Sequence, residues 1–341
     1  MASPSSPSTE AQTIRELATA YERLTEQVSR VIVGQKPVVE QLLMALFSRG
    51  HCLMVGVPGL GKTLLGSTLS KILTLSFKHI SFTSDLLPCD ITGMDGLQED
   101  PESGKKRFVF QPGPLFANVI LADELDRTVP KTQTALLDAM QDGQVTLNAK
   151  VYKLPSPFIV LATHTPPDLP GAHPLTEAQR DHFLFSTRVE YPTRSEEIQI
   201  VKTTTGASKV EPVPILDLQQ LLKYQEIVRQ VVVADHVFKY VADLVRATRP
   251  KEAGIPKWIP ALVSRGAGPR ASQSLILGAK ARAVFNGRVH VTTNDIKAIA
   301  HTVLRHRIGT TKQADTEGMT PDDIIERLLE TIPVATEAKR L

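Results

Sequence analysis

The chain of 341 residues is short of cysteine, of aromatic side chains and of net charge, and each shortage closes off a class of protein. Two cysteines, Cys52 and Cys89, make neither a disulfide framework nor a zinc knuckle. Cys52 lies in an apolar run and reads as a small buried hydrophobe, which fits a reducing, cytoplasmic setting. Aromatic residues are 5% of the chain, and 39 basic residues against 36 acidic leave a net charge of +3. So even a balance argues against a partner recognised by bulk charge. The histidines are scattered without metal-ligand spacing. No apolar run approaches the roughly 20 residues that cross a bilayer. The opening "MASPSSPSTE" has no basic region and no apolar stretch, so it does not read as a signal peptide. It reads as a disordered tail over residues 1–12.

What is there is a globular composition, 42% hydrophobic and 22% charged, long enough for two domains. Apolar spacing predicts helices over 13–33 and after Pro37 up to Gly50. Short apolar runs then alternate with helical stretches. The runs are "HCLMV" (51–55), "FKHISF" (77–82), "NVILADE" (118–124), "FIVLATH" (158–164) and "FLFSTRVEY" (183–191). Lys62–Leu73 and Lys131–Gln141 are helix-like. Runs dense in apolar residues without strict alternation suit strands covered on both faces, and the rhythm implies an α/β fold with a parallel sheet and helices on both sides. Two stretches, "KKRFVFQPGP" (105–114) and "QVTLNAKVYKLPSP" (144–157), read as inserted hairpins, the second turning at Asn148-Ala149. After about Gly206 the strand signals stop. Helical patterns follow, with helix-start signatures at Thr292–Asp295 and Thr320–Asp323 and Pro321 in a first turn. The reading is a core over 13–205, a separate helical unit over 206–333 and a tail over 334–341.

"GVPGLGKTLL" (56–65) satisfies G-x-x-x-x-G-K-[ST]. A phosphate chain is held by successive backbone N–H groups, so the loop must let the backbone approach closely, as glycine permits. The helix that follows points its positive end at the phosphates. The candidate cradle is Gly56, Pro58, Gly59, Leu60, Gly61, Lys62, Thr63 and Leu64, with Lys62 on the outer phosphates and the Thr63 hydroxyl on magnesium. An apolar strand before the loop and an amphipathic helix after it supply the context the motif needs.

"VILADELDR" sets Asp123 and Glu124 at the carboxyl end of an apolar run, the end that faces the ligand crevice in such sheets. Asp123 can hold magnesium, and Glu124 can polarise a water for attack on the terminal phosphoryl group. The next run ends in Thr163, His164 and Thr165, one of which could hydrogen-bond that water or the γ-phosphate.

"VIVGQ" (31–35), "FTSDLLPCDITG" (82–93), "FVFQPGPLFANVILADELDR" (108–127), "PKTQTALLDAMQDGQVT" (130–146) and "PLTEAQRDHFLF" (174–185), with the loop at 56–65 and "GAGPRASQSLILGAKARA" (266–283), stand in family order. Over about residues 30–310 the chain resembles the MoxR family of AAA+ ATPases. The resemblance implies an AAA+ P-loop core followed by an all-helical lid. It also implies hexameric rings with ATP and magnesium between subunits, and chaperone-like remodelling of enzyme complexes, often with von Willebrand factor A domain partners. It gives Arg270 the sensor arginine of the lid and Thr165 a position usually held by asparagine. The family usually reads arginine where His182 stands, as a finger into the neighbour's site. In nucleotide hydrolases such a finger contributes about 10³–10⁵ in rate. Arg180, Arg188 and Arg127 are the other candidates, and the sequence does not choose among them. Two further readings follow. One is a nucleotide-dependent scaffold with weak turnover. The other, a nucleic-acid motor, is disfavoured because no recognition motif or aromatic-rich basic surface is present.

Overall fold

The computed structural model describes residues 7–99, 106–164, 173–206 and 210–334. Helices α1 (Pro7–Val31) and α2 (Lys36–Phe47) lead into β1 (Cys52–Val55), α3 (Lys62–Ile72), β2 (Phe77–Ser81) and the short α4 (Pro88–Thr92). Then come β3 (Gly93–Glu99), β4 (Lys106–Pro112), β5 (Val119–Asp123), a 3-10 turn (Leu125–Arg127) and α5 (Pro130–Asp142). The core closes with β6 (Gln144–Leu147), β7 (Lys150–Lys153), β8 (Ile159–His164), α6 (Glu177–Arg180) and β9 (Phe185–Arg188), and α7 (Arg194–Thr204) leaves it. The last part holds α8 (Leu218–Gln230), α9 (Asp235–Ala247), α10 (Ile259–Leu262), β10 (Val263–Arg265) and α11 (Pro269–Phe285). It ends with α12 (Thr293–Leu304), β11 (Gly309–Thr310), α13 (Lys312–Thr316) and α14 (Pro321–Thr331).

The five expected strands form one parallel sheet in the order β2-β5-β8-β1-β9. Successive side chains of a strand point to opposite faces, and the packing follows that rule. Cys52, Met54, Val119, Leu121, Ile159 and Leu161 enter one hydrophobic cluster. Leu53, Ile80, Ile120, Ala122, Val160 and Ala162 enter the other, under Leu136, Leu137 and Met140 of α5. Both faces are dry, which is why these strands are apolar throughout.

Several details differ from the sequence reading. Helix α1 begins at Pro7 and takes in residues that reading assigned to the tail. Proline fits a first helical turn, where its missing N–H removes no bond. The stretch 105–114 is not a hairpin by itself: β4 pairs antiparallel with β3, so the hairpin runs from Gly93 to Pro112. Its first strand, "GMDGLQE", holds two glycines and three acidic or amide residues, which hid it. The helical half is not packed apart. It shares one cluster with α1, α2 and α3, and Tyr21 stacks on Phe285 with ring centroids 4.1 Å apart. It also holds a two-stranded antiparallel sheet, β10 with β11, whose strands are too short to show alternation in sequence. Residues 335–341, most of the expected C-terminal tail, lie outside the described residues.

Candidate functional site

The chain leaves β1 at Val55 and enters the glycine loop beneath β9. A Cβ on Gly56 would lie 2.4 Å from the Val189 carbonyl oxygen, so no side chain fits there. Gly61 caps α3 at φ 76°, a left-handed conformation that favours glycine, and no side chain caps the first turn. The first N–H groups of α3 are therefore left for a ligand, at the positive end of the helix dipole. Lys62 Nζ donates to the carbonyls of Gly56 at 2.6 Å and Val57 at 3.0 Å, folding back over the loop. Burial lowers the pKa of that ammonium, while Asp123, Glu124 and Asp126 oppose the shift. Three carboxylates thus bear on one lysine, an arrangement suited to a cation-bearing phosphate ligand.

The carboxylates come from β5, two strands away. Asp123 ends the strand, and Glu124 follows at φ 55°, ψ 48°, which turns the chain sharply into the 3-10 turn. Thr163 of β8 joins the two: its hydroxyl donates to Asp123 Oδ1 at 2.6 Å and accepts the Glu124 N–H at 2.8 Å. His79 Nε2 lies 3.3 Å from Asp123 Oδ2, and Arg127 Nη1 lies 3.0 Å from Glu124 Oε2. Arg127 is thereby engaged with the acid of its own chain.

The other predicted residues go elsewhere. Thr165 lies outside the described residues. Arg188 ends β9 in register with Val55 and is tied at 2.7 Å to Asp322 of α14. Arg270, His182 and Arg49 line a cavity of about 240 Å³ together with Gly50 and His51. Those last two precede β1, whereas the glycine loop follows it. A parallel strand rises about 3.3 Å per residue, so this cavity and the loop are on the order of 15 Å apart at opposite ends of the sheet. The structure therefore does not bring Arg270 to its own chain's glycine loop, because the helical half packs against α1 and α2. Arg270 Nη1 lies instead 3.5 Å from Asp181 Oδ2. Arg180, one residue before Asp181, is half-buried, and burial lowers its pKa.

Two features of this end carried no sequence signal. Arg307 is buried. It donates to Asp181 Oδ1 at 2.7 Å and to the carbonyls of Asp181, Phe183 and Leu184, so the helical half clamps the segment that presents His182. His51 accepts the Val160 N–H on Nδ1, which leaves Nε2 to donate to the Met140 carbonyl. Burial pushes its pKa down to about 4, so it stays neutral. His182 is also pushed down, by burial and then by Arg270.

A glycine loop capping a helix beside paired acids, on a parallel sheet with a helical appendage, defines a P-loop ATPase of the AAA type. Family models agree: residues 51–185 match the "ATPase family associated with various cellular activities (AAA)", and residues 261–328 match the AAA lid domain. The chain is 39% identical to "Chaperone MoxR1" of Mycobacterium tuberculosis, over 91% of its own length and 81% of the relative's. It is 34% identical to YeaC of Bacillus subtilis, over 92% and 95%. A solved structure of a candidate ATPase from Cytophaga hutchinsonii superposes with a TM-score of 0.88 at 35% identity, covering 95% of this chain and 98% of that one. The chain belongs to the MoxR family of AAA+ ATPases. Its place there does not favour the reading as a scaffold with weak turnover.

Proposed function

We propose that the chain binds ATP with magnesium, hydrolyses it to ADP and phosphate, and uses the cycle to remodel or activate partner protein complexes. The observation that carries this is the convergence of Lys62, Asp123 and Glu124 at the carboxyl ends of β1 and β5, with Thr163 joining the two acids. The α3 N-terminus and the loop amides take the phosphates, Lys62 moves from the loop carbonyls onto the outer phosphate, and Glu124 accepts a proton from the attacking water. Thr63 and Asp123 would hold magnesium. Their hard oxygen donors suit that ion. The ion supplies charge neutralisation at the phosphates.

Arg270 and His182 are remote from their own loop, and we infer that they serve the loop of a neighbouring subunit. This supports a homo-oligomer, which we read as a hexameric ring. A von Willebrand factor A domain protein is the partner class we infer from the family. No described helix is long and apolar enough to cross a membrane, and a cytoplasmic site of action fits this reading. The test is steady-state ATP hydrolysis by the purified chain and by Glu124→Gln. Turnover in the variant should fall by about a hundredfold or more with ATP binding retained. Equal rates would refute the reading.

A further inference from the structure

Helix α7 runs for 11 residues and buries none of them, whereas every other described helix longer than one turn buries at least one side chain. A helix of this length without a partner is marginal in water. Glu196, in its first turn, packs over Gly34. The helix begins soon after Val189, whose carbonyl oxygen meets Gly56, so α7 stands at the nucleotide end of the sheet. Residues three and four apart share a helix face. Glu197, Ile198 and Val201 therefore stand together, with Ile198 43% and Val201 55% exposed. Arg194 precedes them on that face, with a side chain long enough to reach water at its rim. Glu197 is exposed and makes no ion pair among the described residues.

A matching surface lies at the opposite end of the sheet. The cavity of about 240 Å³ there is lined by His182 and Leu184, just before β9, whereas α7 follows β9. Arg270, Gln273 and Leu277 line it at helical spacing along α11, and Arg229, at the end of α8, lines it from the side. Arg49 is paired with Glu226, and Arg270 lies near Asp181. Among the described residues no acid pairs with the exposed Arg229. Lys280, one turn beyond Leu277, donates to the Arg229 carbonyl at 2.6 Å, and burial and then Arg229 lower its pKa. Two cations thus border a partly exposed leucine, while α7 offers a carboxylate beside two exposed aliphatic side chains.

We propose that α7 of one copy of the chain docks into the groove between α11 and the end of α8 on the next copy, with Ile198 and Val201 against Leu277 and Glu197 toward Arg229. The two surfaces stand at opposite ends of β9, so one copy cannot join them within itself, and repetition gives head-to-tail assembly. A second copy is the occupant because the placement that carries Arg270 to a neighbour's glycine loop also carries α11 to that neighbour's α7, which stands beside the loop. Docking takes the aliphatic face out of water, and the charges fix register and orientation more than affinity. The docking rests on the homo-oligomer reading above and names a surface for it.

The test uses the full chain with magnesium and a non-hydrolysable ATP analogue, and reads particle mass by sedimentation velocity. Ile198→Asp spoils the α7 face and leaves the groove intact. Arg229→Glu spoils the groove and leaves α7 intact. Each variant alone should remain a monomer of 37.3 kDa at concentrations where the parent assembles. Mixed in equal amounts, the two hold one sound α7 and one sound groove between them, so they should form dimers and nothing larger. Val201→Asp with Lys280→Glu repeats the test if either of the first two variants fails to melt cooperatively. The proposal is overturned if either variant alone assembles as the parent does, if the mixture stays monomeric, or if the mixture grows beyond dimers. A parent that stays monomeric with the nucleotide bound sinks the homo-oligomer reading and the docking together. A parent that assembles beside an equally assembled Ile198→Asp sinks the docking alone.

Discussion

Asp123 and Glu124 could be read from the chain because they are adjacent and follow an apolar run. Their connection through Thr163 could not, because it depends on β8 lying against β5 in the sheet. That hydroxyl is both donor and acceptor, so removing it breaks two bonds at once. Thr163→Val keeps the shape but leaves the Glu124 N–H and one oxygen of Asp123 without their partner. We expect a loss of about 1–3 kcal/mol in stability, read as a lower midpoint in denaturant, together with reduced ATP turnover. A midpoint and a turnover both equal to the parent's would show that the link does not matter. Likewise Glu124 pairs within the chain with Arg127, three residues on, which sequence offered as a candidate for a neighbour's site.

The two hairpins were legible to different degrees, and the difference is physical. The turn at Asn148-Ala149 has φ of 48° and 62°, both left-handed, as a two-residue turn matching the strand twist requires. Asparagine tolerates that region, whereas alanine adopts it only at an energetic cost. Ala149→Gly should therefore stabilise the protein by up to about 1 kcal/mol, seen as a higher melting temperature, and a decrease would contradict the turn geometry. The other hairpin was half-hidden because β3 has little apolar alternation to show. It is held by tertiary contacts instead: Phe110 of β4 stacks on Tyr152 of β7 at 3.9 Å, and Asn148 donates to Asp95 at 2.8 Å. The helix starts at Thr292–Asp295 and Thr320–Asp323 were legible because the pattern is local; the capping box closes in both directions at Thr320, whereas at Thr292 only the Asp295 carboxylate reaches back to the Thr292 N–H.

Across the assembled chain, charge placement controls both stability and activity. Asp295 is fully buried. Burial works to raise its pKa, but hydrogen bonds from Arg288, Thr292 and Arg282 outweigh it and hold the group at about 2, against 3.8 ordinarily. A pKa depressed by folding contributes stability that is present above the unfolded value and lost as pH falls through the folded one. The chain should therefore lose stability between about pH 4 and pH 2. The parent's denaturation midpoints should fall across that window more steeply than those of Asp295→Asn; parallel curves would count against the assignment. The position of Arg270 makes a different prediction. Arg270→Ala lacks the cation, Glu124→Gln lacks the base, and each alone should turn over ATP poorly. If Arg270 serves a neighbour, mixing the two pairs an intact Glu124 with a neighbour's intact Arg270, and activity should return above the sum of the separate rates. A mixture no faster than that sum would place Arg270 outside the neighbour's site.

The nucleotide loop, the acidic pair, the five core strands and most helix starts were determined by sequence alone. Each rests on interactions within a few residues: a glycine that must turn, a side chain that caps its own helix, an apolar run that must be dry. Only tertiary structure decided which strands are neighbours, which hydroxyl joins the acids, and at which end of the sheet Arg270 and His182 stand. The first two outcomes depend on β8 pairing with β5 and β1 in the sheet, and the third on the helical half burying its apolar faces against α1 and α2. That choice is made by surfaces far apart in the chain, and no local pattern records it.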